Sequence, residues 1–80
     1  MHYPRRGDTG DEVLELQTAL VLRGAVLLVD GDYGARTAAA VAAFQTRARR
    51  KTAAVTVDGD YASPETFAAL AALPLKIKAT

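Results

Sequence analysis

The five residues Val29-Asp30-Gly31-Asp32-Tyr33 return unchanged as Val57-Asp58-Gly59-Asp60-Tyr61, twenty-eight positions later in a chain of 80. Asp bonds nearby backbone N–H groups and Gly tolerates bends closed to other residues, so each copy reads as a turn. An apolar stripe with a threonine in its first turn follows both times, Thr37 and then Thr66. The unit is therefore a turn that starts a helix, used twice. Two units are too few for a stacked array. A helix ahead of the first copy supplies the missing packing surface.

That first helix is predicted between Thr9 and Gly24. Thr9 and Glu12 have capping-box spacing, Val13, Leu16 and Leu20 recur at helical intervals, and Gly24 suits a left-handed stop. Val26 to Val29 is too short an apolar run for a helix and reads as an extended, buried connector. The second helix is predicted from about Ala35 to Arg50, with Thr37, Ala40, Val41 and Phe44 as its stripe. Arg47, Arg49, Arg50 and Lys51 bring positive charge to its last turn, the favourable sign there. In the third, Ser63 stands at the N-cap and Pro64 at the first helical position. Phe67, Leu70 and Leu73 form its apolar face, and Pro74 closes it. Residues 1–5 read as a disordered leader, 6–74 as the domain, and 75–80 as a tail that is either a strand fragment or frayed.

The fold class is all-α: a compact three-helix bundle with two Val-Asp-Gly turn-helix half-repeats. Composition agrees, because seventeen of the forty hydrophobic residues are alanine, which favours closely packed helices over a sheet.

Ten basic against nine acidic residues leave a net charge of +1, which argues against nucleic acid as a partner. The apolar run at Ala25–Val29 is far too short to cross a membrane, so no membrane partner is expected. The N-terminus has no apolar core of a secretion signal. Work outside the cytoplasm would then require this chain to be a fragment or a passenger. Without cysteine there is no disulfide framework and no thiolate zinc site. Calcium loops opening at Asp30 or Asp58 would need a carboxylate at their twelfth positions, which hold Val41 and Ala69. No metal and no cofactor is expected. His2 is the only histidine, and no nucleophile or carboxylate pair has a partner set, so no catalytic residue is assigned and the chain is not expected to be an enzyme.

Gly7-Asp8-Thr9-Gly10, Val13, Leu16-Gln17, Leu20 and Gly24 form the first part of a wider pattern. Val29-Asp30-Gly31-Asp32-Tyr33-Gly34, Thr37, Ala40-Val41 and Phe44-Gln45 continue it, and Val57-Asp58-Gly59 with Thr66, Phe67 and Leu70 closes it. Together, over roughly Arg6 to Leu73, these residues resemble the peptidoglycan-binding domain, the three-helix module of bacterial and phage cell-wall hydrolases such as endolysins. The chain departs from that family's pattern in a longer basic connector after Gln45, in Ala35 after Gly34, and in Ala62-Ser63-Pro64 after Tyr61.

The resemblance implies a noncatalytic module that binds peptidoglycan, through either its glycan strand or its stem peptide, and targets a covalently linked hydrolase or transpeptidase to the wall. The alternative is a protein-interaction or architectural domain that keeps the fold and has lost glycan binding. If the ligand is peptidoglycan, contact is expected at the first turn and the start of the second helix, where free backbone N–H groups meet acetamido or carboxylate oxygens. The expected contacts there are Asp30, Asp32, Tyr33, Gly34, Arg36 and Thr37, with the Tyr33 hydroxyl reaching solvent. Tyr61 either packs under its helix or stacks on a sugar. Gln17 and Gln45 either tie loops to their helices or, as a ligand contact at Gln45, recognise peptide amides and N-acetyl groups. Gly31, Asp58 and Gly59 are read as structural turn residues, with both glycines permitting the bend.

Overall fold

The structure, a computed structural model, describes residues 3–72. Three helices follow in order: α1 (Asp11–Leu22), α2 (Ala35–Ala48) and α3 (Pro64–Ala72). Each packs against both others, and no strand is formed among the described residues beyond two isolated bridges. The core is Val13, Leu16 and Leu20 from α1, Val41 and Phe44 from α2, and Leu70 from α3, with Tyr33, Val55 and Ala62 contributed by connectors. The predicted stripes therefore meet, except that Leu73 lies outside the described residues, as do Pro74 and the tail.

The start of α1 differs from the capping-box expectation. Its N-cap is Gly10, at φ 114, and no side chain caps the helix. Thr9 is instead drawn into an antiparallel bridge with Asp32, and the Gly10 N–H donates to the Gly31 carbonyl. Tertiary pairing has taken the residue that a local cap would have used. At the other end, Gly24 sits at φ 103 as expected, and α3 carries the expected cap, with the Thr66 N–H donating to Ser63 Oγ at 3.2 Å. Helix α2 stops at Ala48, two residues early, and Arg49, Arg50 and Lys51 are exposed.

Two further corrections concern the connectors. Tyr3, Pro4 and Arg5 are built into the fold rather than lying in a leader: Pro4 is buried, its carbonyl accepts from the Ala62 N–H, and Arg5 bridges Tyr61. The segment from Pro4 to Gly10 threads between the two turns and bonds both, Arg6 to Asp60 and Gly7 to Tyr33. The connector after α1 is not buried. Leu27 and Ala25 pack on the core, whereas Val26 is fully exposed and Leu28 is 71% exposed. Alternation of period two is what an extended chain produces, so only every second apolar residue can face inward.

Candidate functional site

Each copy of the turn is fastened to the preceding helix by one buried glutamine. In the first copy, Gln17 Oε1 accepts from the backbone N–H groups of Asp30 (3.0 Å) and Gly31 (2.8 Å). Its Nε2 faces Asp30 Oδ1, the Asp32 carbonyl and Thr37 Oγ1, all at 3.0–3.1 Å. In the second copy, Gln45 Oε1 accepts from the Asp58 N–H at 2.8 Å, and Nε2 donates to the Tyr61 carbonyl and Thr66 Oγ1. The spacing from glutamine to aspartate is 13 residues in both. Within each turn the first aspartate also accepts from the N–H two residues on, Asp32 onto Asp30 and Asp60 onto Asp58. The internal repeat is thus a repeat of hydrogen bonding as well as of residues.

These bonds decide which expected contacts remain available. Gln45 and Thr37 are buried, and their polar atoms are spent inside. Tyr33 is 1% exposed, and its hydroxyl donates to the Gly59 carbonyl at 2.6 Å rather than reaching solvent. Burial, with the carboxylates of Asp60, Asp58 and Asp8 nearby, pushes its phenol well above the usual range. Gly31 does provide the bend, at φ 77. Gly59 has a different duty, because a Cβ there would overlap the Ala38 carbonyl oxygen of α2. The second turn and α2 can approach only because that position lacks a side chain.

Asp30, Asp32, Gly34 and Arg36 stay together at the surface. They line a hollow of about 350 Å³ together with Leu27, Leu28, Ala35 and the buried Thr37. The Asp30 carboxyl is held below its ordinary value, first by the Asp32 N–H and then by the Gln17 amide, so it stays ionised there. Tyr61 is half-buried and 28 residues away in a second hollow, with Asp58, Asp60, Arg5 and Arg6. The Arg5 guanidinium lies over its ring at 5.4 Å, and Arg6 pairs with Asp60 at 3.5 Å. The geometry therefore separates the expected ligand set into a first-turn surface, a second-turn surface and an internal group. Leu28, Arg5 and Arg6 are missing from the residues named from sequence. Nothing in their own spacing marks the arginines, which arrive through the backbone pairing of Pro4 to Gly10.

The family model of the peptidoglycan binding domain matches residues 9–70. The chain belongs to that family. Solved structures agree with the assignment. A Burkholderia AP3 phage endolysin superposes with a TM-score of 0.77 at 38% identity, over 89% of this chain and 25% of its own. An L,D-transpeptidase from Xylanimonas cellulosilytica superposes with a TM-score of 0.72 at 48% identity, over 90% of this chain and 33% of its own. This peptidoglycan binding domain thus spans between a quarter and a third of the length of these relatives. No curated protein matches the chain. The matched span includes both glutamines, both turns and Arg36, so the departures at Ala35 and at Ala62-Ser63-Pro64 leave the fold of the family intact. Both hydrogen-bonded locks close in spite of the residue inserted after Tyr61. Thr66 follows Gln45 by 21 residues, whereas Thr37 follows Gln17 by 20.

Proposed function

We propose that this chain is a noncatalytic module that holds a covalently linked cell-wall enzyme, a hydrolase or a transpeptidase, on bacterial peptidoglycan. The match to the family model over residues 9–70 carries the reading. The solved relatives support it, since both are longer chains named for wall-acting enzymes. Tethering on an insoluble polymer raises the effective concentration of the linked enzyme without tight binding at any one site. The binding surface is the first turn with the start of α2: Asp32, Gly34 and Arg36, with Asp30 held in place as the turn's hydrogen-bond acceptor. Tyr33, Thr37 and Gln45 act on binding only indirectly, by holding that surface in shape. Tyr61 with Arg5 forms a secondary surface on the other turn. The site of action is the cell wall, outside the cytoplasm; among the described residues no helix is long and apolar enough to cross a membrane.

Sedimentation with purified, protein-stripped sacculi tests this. The chain is expected to co-sediment above an inert-polysaccharide control. Absence of binding overturns the assignment and favours the alternative, a protein-interaction domain on the same fold.

A further inference from the structure

The two copies of the repeat also contain equivalent connectors, which differ in their outward-facing residues. Val26, Leu27, Leu28 and Val29 correspond, 28 residues on, to Ala54, Val55, Thr56 and Val57. The inward position is apolar in both: Leu27 packs on the core and Val55 is 1% exposed. The outward positions differ. The second copy shows solvent Ala54 and Thr56, as the fold allows, while the first shows Val26 at 102% exposure and Leu28 at 71%. The architecture does not require aliphatic residues at those places.

Two other properties of the segment accompany this exposure. Among the described residues, the N–H and C=O groups of Val26 to Val29 bond to no other backbone group. The segment is also one wall of a groove against α2, formed by the hollow at Leu27, Leu28, Asp30, Asp32 and Arg36 and a neighbouring one at Val26, Arg36 and Arg47 whose lining holds no acidic residue. Arg36 lines both hollows, and neither it nor Arg47 has an acidic partner among the described residues.

We infer that the segment 26–29 is a docking edge for an extended peptide bearing a free carboxylate, which in the wall polymer is the stem peptide rather than the glycan. This inference rests on the wall-binding reading above and narrows it. A glycan has no continuous row of backbone amides, so it cannot use an unpaired peptide edge as a partner strand can. Four residues at about 3.3 Å each span roughly 10 Å from first to last Cα, the reach of a four-residue peptide. Val26 and Leu28 cover its small side chains, and Arg36 takes its carboxylate through charge-assisted hydrogen bonds in the hollow shared with Arg47, which no acidic residue lines.

The test uses the 80-residue chain and three probes: intact sacculi, a synthetic stem tetrapeptide and a chitotetraose. Amide shifts of the 15N-labelled protein report where each probe binds. The tetrapeptide is expected to move the amides of residues 26–29 and 36, and backbone N-methylation of the peptide should abolish the effect. The double variant Val26→Ala with Leu28→Thr copies residues that the second repeat already tolerates. It should melt as the native chain does and lose peptide affinity by about tenfold or more, as expected for two aliphatic side chains withdrawn from a contact. Sacculus binding with no tetrapeptide response at 26–29, or with chitotetraose binding there instead, overturns the inference and leaves wall binding standing. No binding to sacculi overturns both.

Discussion

Replacing Gln17 with leucine tests whether the buried amide, rather than the turn residues themselves, holds the first turn to α1. Leucine approximates the volume of glutamine, so packing around it changes little. What disappears is the acceptor for the Asp30 and Gly31 N–H groups and the donor to Asp30, Asp32 and Thr37. Asp30 is exposed, so its groups regain water. Gly31 is buried, and its N–H is left without a partner. An orphaned buried donor costs about 1–3 kcal/mol, and the lost bonds to Thr37 and the turn add about 1 kcal/mol, giving roughly 2–4 kcal/mol. For a domain of this size that lowers the melting temperature by about 10–25 °C. Gln45→Leu is the internal comparison. Its one backbone donor, from Asp58, lies near the surface, and Thr66 keeps its contact with Ser63 Oγ, so about 1–2 kcal/mol is expected. Thermal unfolding followed by circular dichroism measures both. A Gln17→Leu protein melting within about 3 °C of the native one would refute the reasoning, and so would a larger loss at Gln45 than at Gln17.

Tyr33→Phe removes the hydroxyl that joins the two turns at Gly59, and a destabilisation of about 1 kcal/mol is expected in denaturant titration, with the ring still buried. Gly59→Ala drives a Cβ into the Ala38 carbonyl and should destabilise by about 1–3 kcal/mol, read in the same titration; a neutral result would mean α2 and the second turn are not in close contact. Because the folded-state pKa of Asp30 lies below its ordinary 3.8, its contribution is complete above that pH and is lost as pH falls through the folded value. Acid unfolding curves should therefore flatten below about pH 4 in Asp30→Asn, which keeps an Oδ1 acceptor but cannot titrate. Arg36→Ala should leave melting within about 0.5 kcal/mol of native, since Arg36 is exposed, while weakening sacculus binding; unchanged binding would move the ligand away from α2.

The positions of α1, α2 and α3 were legible in the chain because helical spacing is a local property. Val13, Leu16 and Leu20 face one way on any helix they form, whatever lies opposite. The turns were legible for a similar reason, since Asp-Gly bends close within a few residues. The roles of Gln17 and Gln45 were not. Whether an amide beside an apolar face turns inward to a loop or outward to a ligand depends on groups 13 to 21 residues away, which only chain closure brings within 3 Å. Local rules failed at Thr9 for the same reason. A cap is worth about 1 kcal/mol, and a bridge to Asp32 within a network of backbone bonds from Arg6 to Gly10 displaced it.

The sequence by itself determined three helices and two equivalent turns, because those follow from short-range periodicity and from a five-residue identity. The family came from the resemblance of the wider pattern and the match over residues 9–70. Only the tertiary structure decided which polar residues remain for a ligand. It drew Tyr33, Thr37 and Gln45 inside, where their hydrogen bonds hold the two half-repeats. It left Asp32, Arg36 and the aliphatic pair Val26 and Leu28 facing solvent. The physical reason is that an inward or outward orientation is settled by what the rest of the chain places opposite a residue, which its own neighbours in sequence do not specify.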